Sequence, residues 1–235
     1  EKVAGLMRFA STSTDSEAQT VSLADYIGRM QEKQEKIYYI TADNYKAAKS
    51  SPHLEIFRKK GIEVLLMADR VDEWLMSHLT DFNEKSFQSI THGALDLGDL
   101  DDEDSKKALE EAEKQVEGLA ERVKTALGDK VKDVKFTHRL TDSPACIVAD
   151  EQGMTTQMIK LMQAAGQPVP EAQYHFEMNP EHQLVKLLAD VQDEEQFSQW
   201  TGVLFDQASL SEQGSLKDPA SFVQNLNKLL LSLAK

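Results

Sequence analysis

The stretch KIYYITADNYKAAKSSPHLEIFRKKGIEVLLMA, residues 36–68, decides the fold class. KIYYITA (36–42) is β-branched and aromatic, which reads as a strand. Asp43 then caps a short helix to about Lys49. Pro52 follows Ser51, an N-cap residue, and occupies the position where a helix tolerates a missing N–H. Leu54, Ile56 and Phe57 supply that helix with an apolar face, and Gly61 ends it. EVLLMA (63–68) is a near-continuous apolar run, as expected of a strand buried on both faces. Strands alternating with helices at this spacing make a small α/β unit.

Working outward, SLADYIGRM (22–30) opens a helix with Ser22 as N-cap and Asp25 three residues on. Before it, residues 1–20 read as a short apolar helix end (Leu6, Met7, Phe9) followed by a Ser/Thr-rich loop. EKVAGLMRFAST starts as if in mid-helix, so a fragment of a longer protein is expected, with some residues from cloning. Beyond the deciding stretch, VDEWLMSHL (71–79) returns to helix and SFQSIT (86–91) to strand. Residues 93–105, GALDLGDLDDEDS, lose the periodic pattern to glycine and acid, and mark the boundary between two units. They lack the ordered oxygens, central glycine and closing glutamate of a calcium loop.

The second unit begins with Leu109, Ala112, Val116, Leu119, Val123 and Leu127, spaced by threes and fours, which predicts one long amphipathic helix from about Asp104 to Leu127, with Gly128 as its C-cap. VKDVKFTHRL (131–140) and PACIVAD (144–150) read as two strands joined into a hairpin by Thr141, Asp142 and Ser143. HFEMN (175–179) is a third strand, and Pro180 opens a helix to about Leu188. Two helices close the chain. One starts at Asp193, buries Phe197, Trp200, Leu204 and Ala208, and stops at Gly214. The other starts at Asp218 and carries Phe222, Val223, Leu226, Leu229, Leu230 and Leu233, a stripe too wide for one narrow seam.

Between strand and strand lies GMTTQMIKLM. Met154, Met158 and Met162 recur every four residues and share one helical face with Leu161. Methionine is unbranched and polarizable, so such a stripe fills an irregular core or grips unlike partners. Spacing alone leaves both open. Trp74 is similarly open between inward packing and a rim contact.

The 235 residues carry 40 acidic against 26 basic side chains, a net charge of −14. That balance argues against nucleic acid and anionic membrane surfaces as partners, since both attract basic faces. Cys146 is the single cysteine, so no internal disulfide is possible and a reducing, cytoplasmic setting is expected. There is no signal-like opening and no apolar run long enough to span a bilayer. No glycine-rich phosphate cradle, nucleophile elbow or zinc-protease motif occurs. The six histidines are scattered; His175 and Glu177 share one side of a strand, but two ligands are not a metal site. An enzyme reading would need Cys146 activated by His138 across the expected hairpin.

Taken in order, SLADYIGRM with Gln34 and IYYIT, SSPHLEIFRKKGIEVLL (50–66), DRVDEW (69–74), HRLTDSPACIV (138–148), FEMNPEH (176–182) and DQASLSEQGSLKDPASF (206–222) resemble the HtpG type of the heat-shock protein 90 chaperones along nearly the whole chain. The resemblance implies an α/β followed by an α+β architecture. Residues 1–100 would be the C-terminal subdomain of a chaperone middle domain, and 101–235 a C-terminal dimerisation domain ending in two helices that form a dimeric four-helix bundle. It implies client binding by Met154, Met158, Leu161 and Met162 together with Glu73 and Trp74, and dimerisation through Leu204, Ala208, Phe222, Leu226, Leu229, Leu230 and Leu233. The family's ATP and magnesium belong to an N-terminal domain without counterpart here, so neither a cofactor nor ATPase activity is expected of this chain. The partners implied are a second copy and unfolded client proteins. The Leu-Ala-Lys ending differs from the acidic tail that docks TPR co-chaperones. The alternatives from the residues themselves are a small α/β enzyme using Cys146 and His138, or a purely structural dimerisation module.

Overall fold

The computed structural model describes residues 3–95, 97–100, 103–150, 153–168 and 174–233. Its contacts divide into two compact units, the first comprising residues 1–102 and 151–170, the second 103–150 and 171–235.

The first unit is built on a six-stranded mixed sheet. In chain order it contains β1 (Phe9–Ser11), β2 (Ser16–Val21), α1 (Leu23–Arg29), β3 (Lys36–Thr41), α2 (Tyr45–Ser50), α3 (Glu55–Lys60), β4 (Leu65–Met67), α4 (Asp72–Met76), β5 (Asp81–Phe82) and β6 (Lys85–Ser89). The strand order is β2-β1-β4-β3-β6-β5. β3 runs parallel to β4, with Tyr39 opposite Leu65, and parallel to β6, with Ile37 opposite Phe87. This is the α/β core expected from residues 36–68.

Alternation along the strands explains why both faces are apolar. Tyr38, Ile40 and Leu66 join Leu54, Ile56 and Phe57 in one cluster, while Ile37, Leu65 and Met67 join Leu23 and Tyr26 in another. Each such fully buried side chain contributes about 1.5–3 kcal/mol. α1 begins with the expected reciprocal cap of Ser22 and Asp25, and α3 ends at Gly61 in the left-handed region (φ 65°). The cap of α2 is Asn44, not Asp43: its side chain accepts from the Ala47 amide. A short 3-10 turn, Ala4–Leu6, stands where a helix end was expected, but Phe9 and the Ser/Thr-rich stretch after it form a hairpin, β1 and β2, turning at Asp15 (φ 48°). It escapes the sequence pattern because residues 16–20 are all solvent-facing, so nothing alternates.

The second unit opens with α5 (Glu103–Gln115) and α6 (Leu119–Leu127), then β7 (Asp133–Phe136) and β8 (Ala145–Ala149). The single long helix expected here is two. The chain breaks at Gly118, which takes φ 77°, although Ala112, Val116, Leu119, Val123 and Leu127 are all buried as their spacing implied. The chain then forms α7 (Thr156–Ala164), which groups by contact with the first unit, and returns as β9 (Tyr174–Met178), α8 (Gln183–Asp190), α9 (Glu194–Gln213) and α10 (Pro219–Leu233). α8 starts after His182, whose ring nitrogen accepts from the Leu184 amide, rather than at Pro180.

β7 and β8 do not form the expected hairpin. β9 inserts between them, parallel to β7 and antiparallel to β8. β9 is hydrogen-bonded along both edges, and its residues Tyr174, Phe176 and Met178 reach the core. α9 packs on this sheet through Phe197, Leu204 and Ala208, with Phe176 and Phe205 edge to face at 5.8 Å. Arg122 of α6 clamps α9: its guanidinium lies 3.7 Å from the Phe197 ring centre and donates to the Val191 carbonyl at 2.8 Å. Among the described residues no helix is long and apolar enough to cross a membrane.

Candidate functional site

The methionine helix α7 is fixed to the first unit by two polar contacts. Thr155 is its N-cap: the hydroxyl oxygen accepts from the Met158 amide at 2.8 Å. The same hydroxyl donates to Glu73 Oε2 of α4 at 2.7 Å. Further along, Lys160 donates to Asp43 Oδ2 at 2.5 Å. These contacts seat α7 beside a shallow groove of about 580 Å³ whose walls include Tyr39, Met76, Phe87, Met154 and Met158, with Glu73 among them. A smaller cavity of about 290 Å³ lies between Asp43, Glu73, Lys160, Leu161 and Ala164.

Exposure separates the residues the sequence singled out. Met154 is 40% exposed, while Met158, Leu161 and Met162 are half-buried. The stripe is therefore neither a closed core face nor a free one. Trp74 is 58% exposed, so it does not pack inward; its neighbour Glu73 is buried. Among the described residues one Glu73 oxygen, Oε1, has no hydrogen-bond partner. Burial and the Glu73 charge push the Tyr39 hydroxyl up to about 12, while burial pushes Asp72 up to about 6.

In the second unit Leu204, Ala208 and Leu229 are buried within the unit itself, Phe222 and Leu226 are half-buried, and Leu230 is exposed. The side chain of Leu233 lies outside the described residues. Leu204 and Ala208 are occupied by the sheet that α9 covers, so they offer a partner almost no surface. The open apolar face of α10 is instead Val223, Leu230 and Leu231, each more than half exposed.

A model of the Hsp90 protein family matches residues 1–235. The chain belongs to the Hsp90 family. It is 66% identical over its whole length to the chaperone protein HtpG of Pseudoalteromonas translucida and covers 37% of that relative. It is 62% identical, again over its whole length, to HtpG of Colwellia psychrerythraea, covering 36% of it. Over 99% of its length it is 61% identical to HtpG of Cronobacter sakazakii, covering 37% of that protein. The chain thus spans little more than a third of the length of the curated relatives it matches.

The hairpin on which an alternative thiol site in this Hsp90 chain rested does not form. Cys146 is 2% exposed, packs with Leu140 and Val148, and stands opposite Glu177 of β9. His138 lies beyond the end of β7, which does not pair with β8, so the hairpin that would have set it across from Cys146 does not form. His175 and Glu177 are engaged with separate partners. His175 contacts Asp133 at 2.5 Å and Asp150 at 3.2 Å, whereas Glu177 is buried against Arg139 at 2.8 Å. Lys132 and His175 hold the Asp150 carboxyl below its usual range.

Sequence reasoning missed Thr155 and Lys160, the residues that seat α7, and Tyr39, Met76 and Phe87, which wall the groove. Thr155 carried a signal, since a Thr three residues before a periodic methionine is a cap pattern. The groove walls carried none: their positions are ordinary apolar ones until strands β3 and β6 bring them together.

Proposed function

We propose that this chain is part of an ATP-dependent molecular chaperone that assists protein folding, and that it supplies a surface for unfolded clients and a homodimer contact. Residues 1–100 correspond to the C-terminal subdomain of a middle domain and 101–235 to the dimerisation domain. ATP and magnesium belong to a nucleotide-binding domain outside the chain; the chain itself takes no cofactor and catalyses no reaction. It works in the cytoplasm, with neither nucleic acid nor membrane as partner. The dimer is a four-helix bundle of α9 and α10 with their copies.

The observation that carries the client reading is Met154, exposed at the edge of a groove of mixed polar and apolar lining, in a chain of the Hsp90 family. A chaperone must hold many unlike segments weakly, and methionines repack where branched side chains would demand one shape. Half-buried Met158 and Met162 extend the patch, and Trp74 adds an exposed aromatic one residue from the groove-lining Glu73.

The test replaces Met154, Met158 and Met162 with serine and measures binding of reduced, carboxymethylated α-lactalbumin, a permanently unfolded client. Binding weaker by about tenfold or more, with circular dichroism and melting unchanged, is the expected result. Undiminished binding by the folded variant would leave a dimerisation module without client contact. Loss of fold would return the stripe to the core.

A further inference from the structure

Glu73 is only 6% exposed, yet among the described residues Oε1 has no hydrogen-bond partner while Oε2 takes the Thr155 hydroxyl. A buried carboxylate oxygen without a donor is costly, and such a group in a native fold calls for an explanation. Glu73 lines the large groove and also the smaller cavity beside α7. Lys36 and His92 line the groove too, but neither hydrogen-bonds to Oε1. Part of the wall is aromatic and thioether: Tyr39 and Phe87 stand edge to face at 6.3 Å, and Met76, Met154 and Met158 also line the groove, while Ser77, Ser86, Gln88 and Ser89 make the rest polar.

We infer that this groove selects unfolded segments in which an arginine or lysine is flanked by apolar residues, with Glu73 Oε1 accepting from the cationic head. The inference rests on the client-surface reading and adds its chemical preference. An apolar groove alone would take any hydrophobic segment. A buried carboxylate set among aromatic rings adds a site for one positive charge: the carboxylate supplies the charge-assisted hydrogen bond, and the ring faces receive the guanidinium or the side-chain stem. The chain's net charge of −14 draws basic segments toward it from a distance, but exposed charge is screened by salt while a buried pair is screened much less. The preference therefore belongs to one residue.

The experiment uses the full chain and two fluorescein-labelled unstructured peptides. Both carry the same leucines and phenylalanines; one has arginine between them, the other citrulline, which keeps the shape and removes the charge. Binding is followed by fluorescence anisotropy at low and high salt. The arginine peptide should bind about tenfold tighter or more, and a clear preference should survive at high salt. Glu73→Gln should bring the arginine peptide to the citrulline level and leave the citrulline peptide unchanged. Glu17→Gln, on the exposed β2, should change neither. Equal affinity of the two peptides for the parent chain overturns the inference without any variant having to fold. So does a preference that Glu17→Gln removes as fully as Glu73→Gln. If both peptides bind equally and both are lost on substituting the methionines, only the charge preference fails. If neither peptide binds at all, the client surface fails with it.

Discussion

At the scale of single residues, two carboxylates of the first unit have opposite fates. Glu63 is driven up by burial, but Arg29, Ser11 and Ser13 together outweigh that and hold it below its usual range; Arg29 alone donates twice, at 2.8 and 2.9 Å. Asp72 accepts from the Asp69 amide at 2.8 Å, and burial raises it to about 6 from 3.8. Because its folded value lies above the unfolded one, the native state binds the extra proton between about pH 4 and 6. Stability from this group therefore falls as pH rises through that window and stays lost above it. Asp72→Asn can still accept from the Asp69 amide and carries no charge. It should stabilise the chain at pH 7 by on the order of 1–3 kcal/mol, with the gain vanishing below about pH 4. Urea unfolding of both proteins at several pH values checks this; a constant difference across the series would contradict it.

At the scale of elements, α7 depends on its first residue more than on its helix propensity. Nine residues are too few to hold a helix in water, so the cap and the packing must do so. Thr155→Val keeps the shape but loses the hydroxyl that caps Met158 and satisfies Glu73 Oε2. The expected loss is about 1–2 kcal/mol, seen as roughly tenfold faster hydrogen exchange across α7, while Thr155→Ser restores protection. Unchanged exchange in Thr155→Val would mean that side-chain packing alone seats the helix. α5 and α6 teach the complementary lesson: one apolar stripe runs through both, yet Gly118 in the left-handed region divides them. A stripe records which face is buried and says nothing about a break that preserves that face.

At the scale of the whole molecule, α10 leaves a second apolar seam. Leu229 points into the second unit at 1% exposure, while Val223 and Leu230, seven residues apart and so on one face, are 51% and 56% exposed. A twofold dimer joins such a face to its own copy, and obligate dimers bury about 2,000 Å² or more. Placing two charges there, Val223→Asp with Leu230→Asp, should yield folded monomer at micromolar concentration in analytical ultracentrifugation. Leu204→Ala, inside the unit's own core, should instead lower stability by about 2–5 kcal/mol. A folded double variant that remains dimeric would place any dimer contact elsewhere.

What the sequence determined by itself was local and periodic: the strands of residues 36–68, the Ser22 and Asp193 caps, the stops at Gly61 and Gly214, and the buried stripe from Ala112 to Leu127. These follow from backbone chemistry acting over a few residues, which is why they could be read in one dimension. The ordered motifs also carried the family. Only the tertiary structure decided that β9 separates β7 from β8, because strand pairing is a contest among distant segments that no local pattern records. It also decided that Leu204 and Ala208 are internal while Val223 and Leu230 stay open, and that the methionine stripe sits half-covered over a groove. A spacing of four defines a helical face; what that face meets depends on residues such as Phe87, 67 positions before Met154, and Tyr39, 119 before Met158, which no local pattern connects to it.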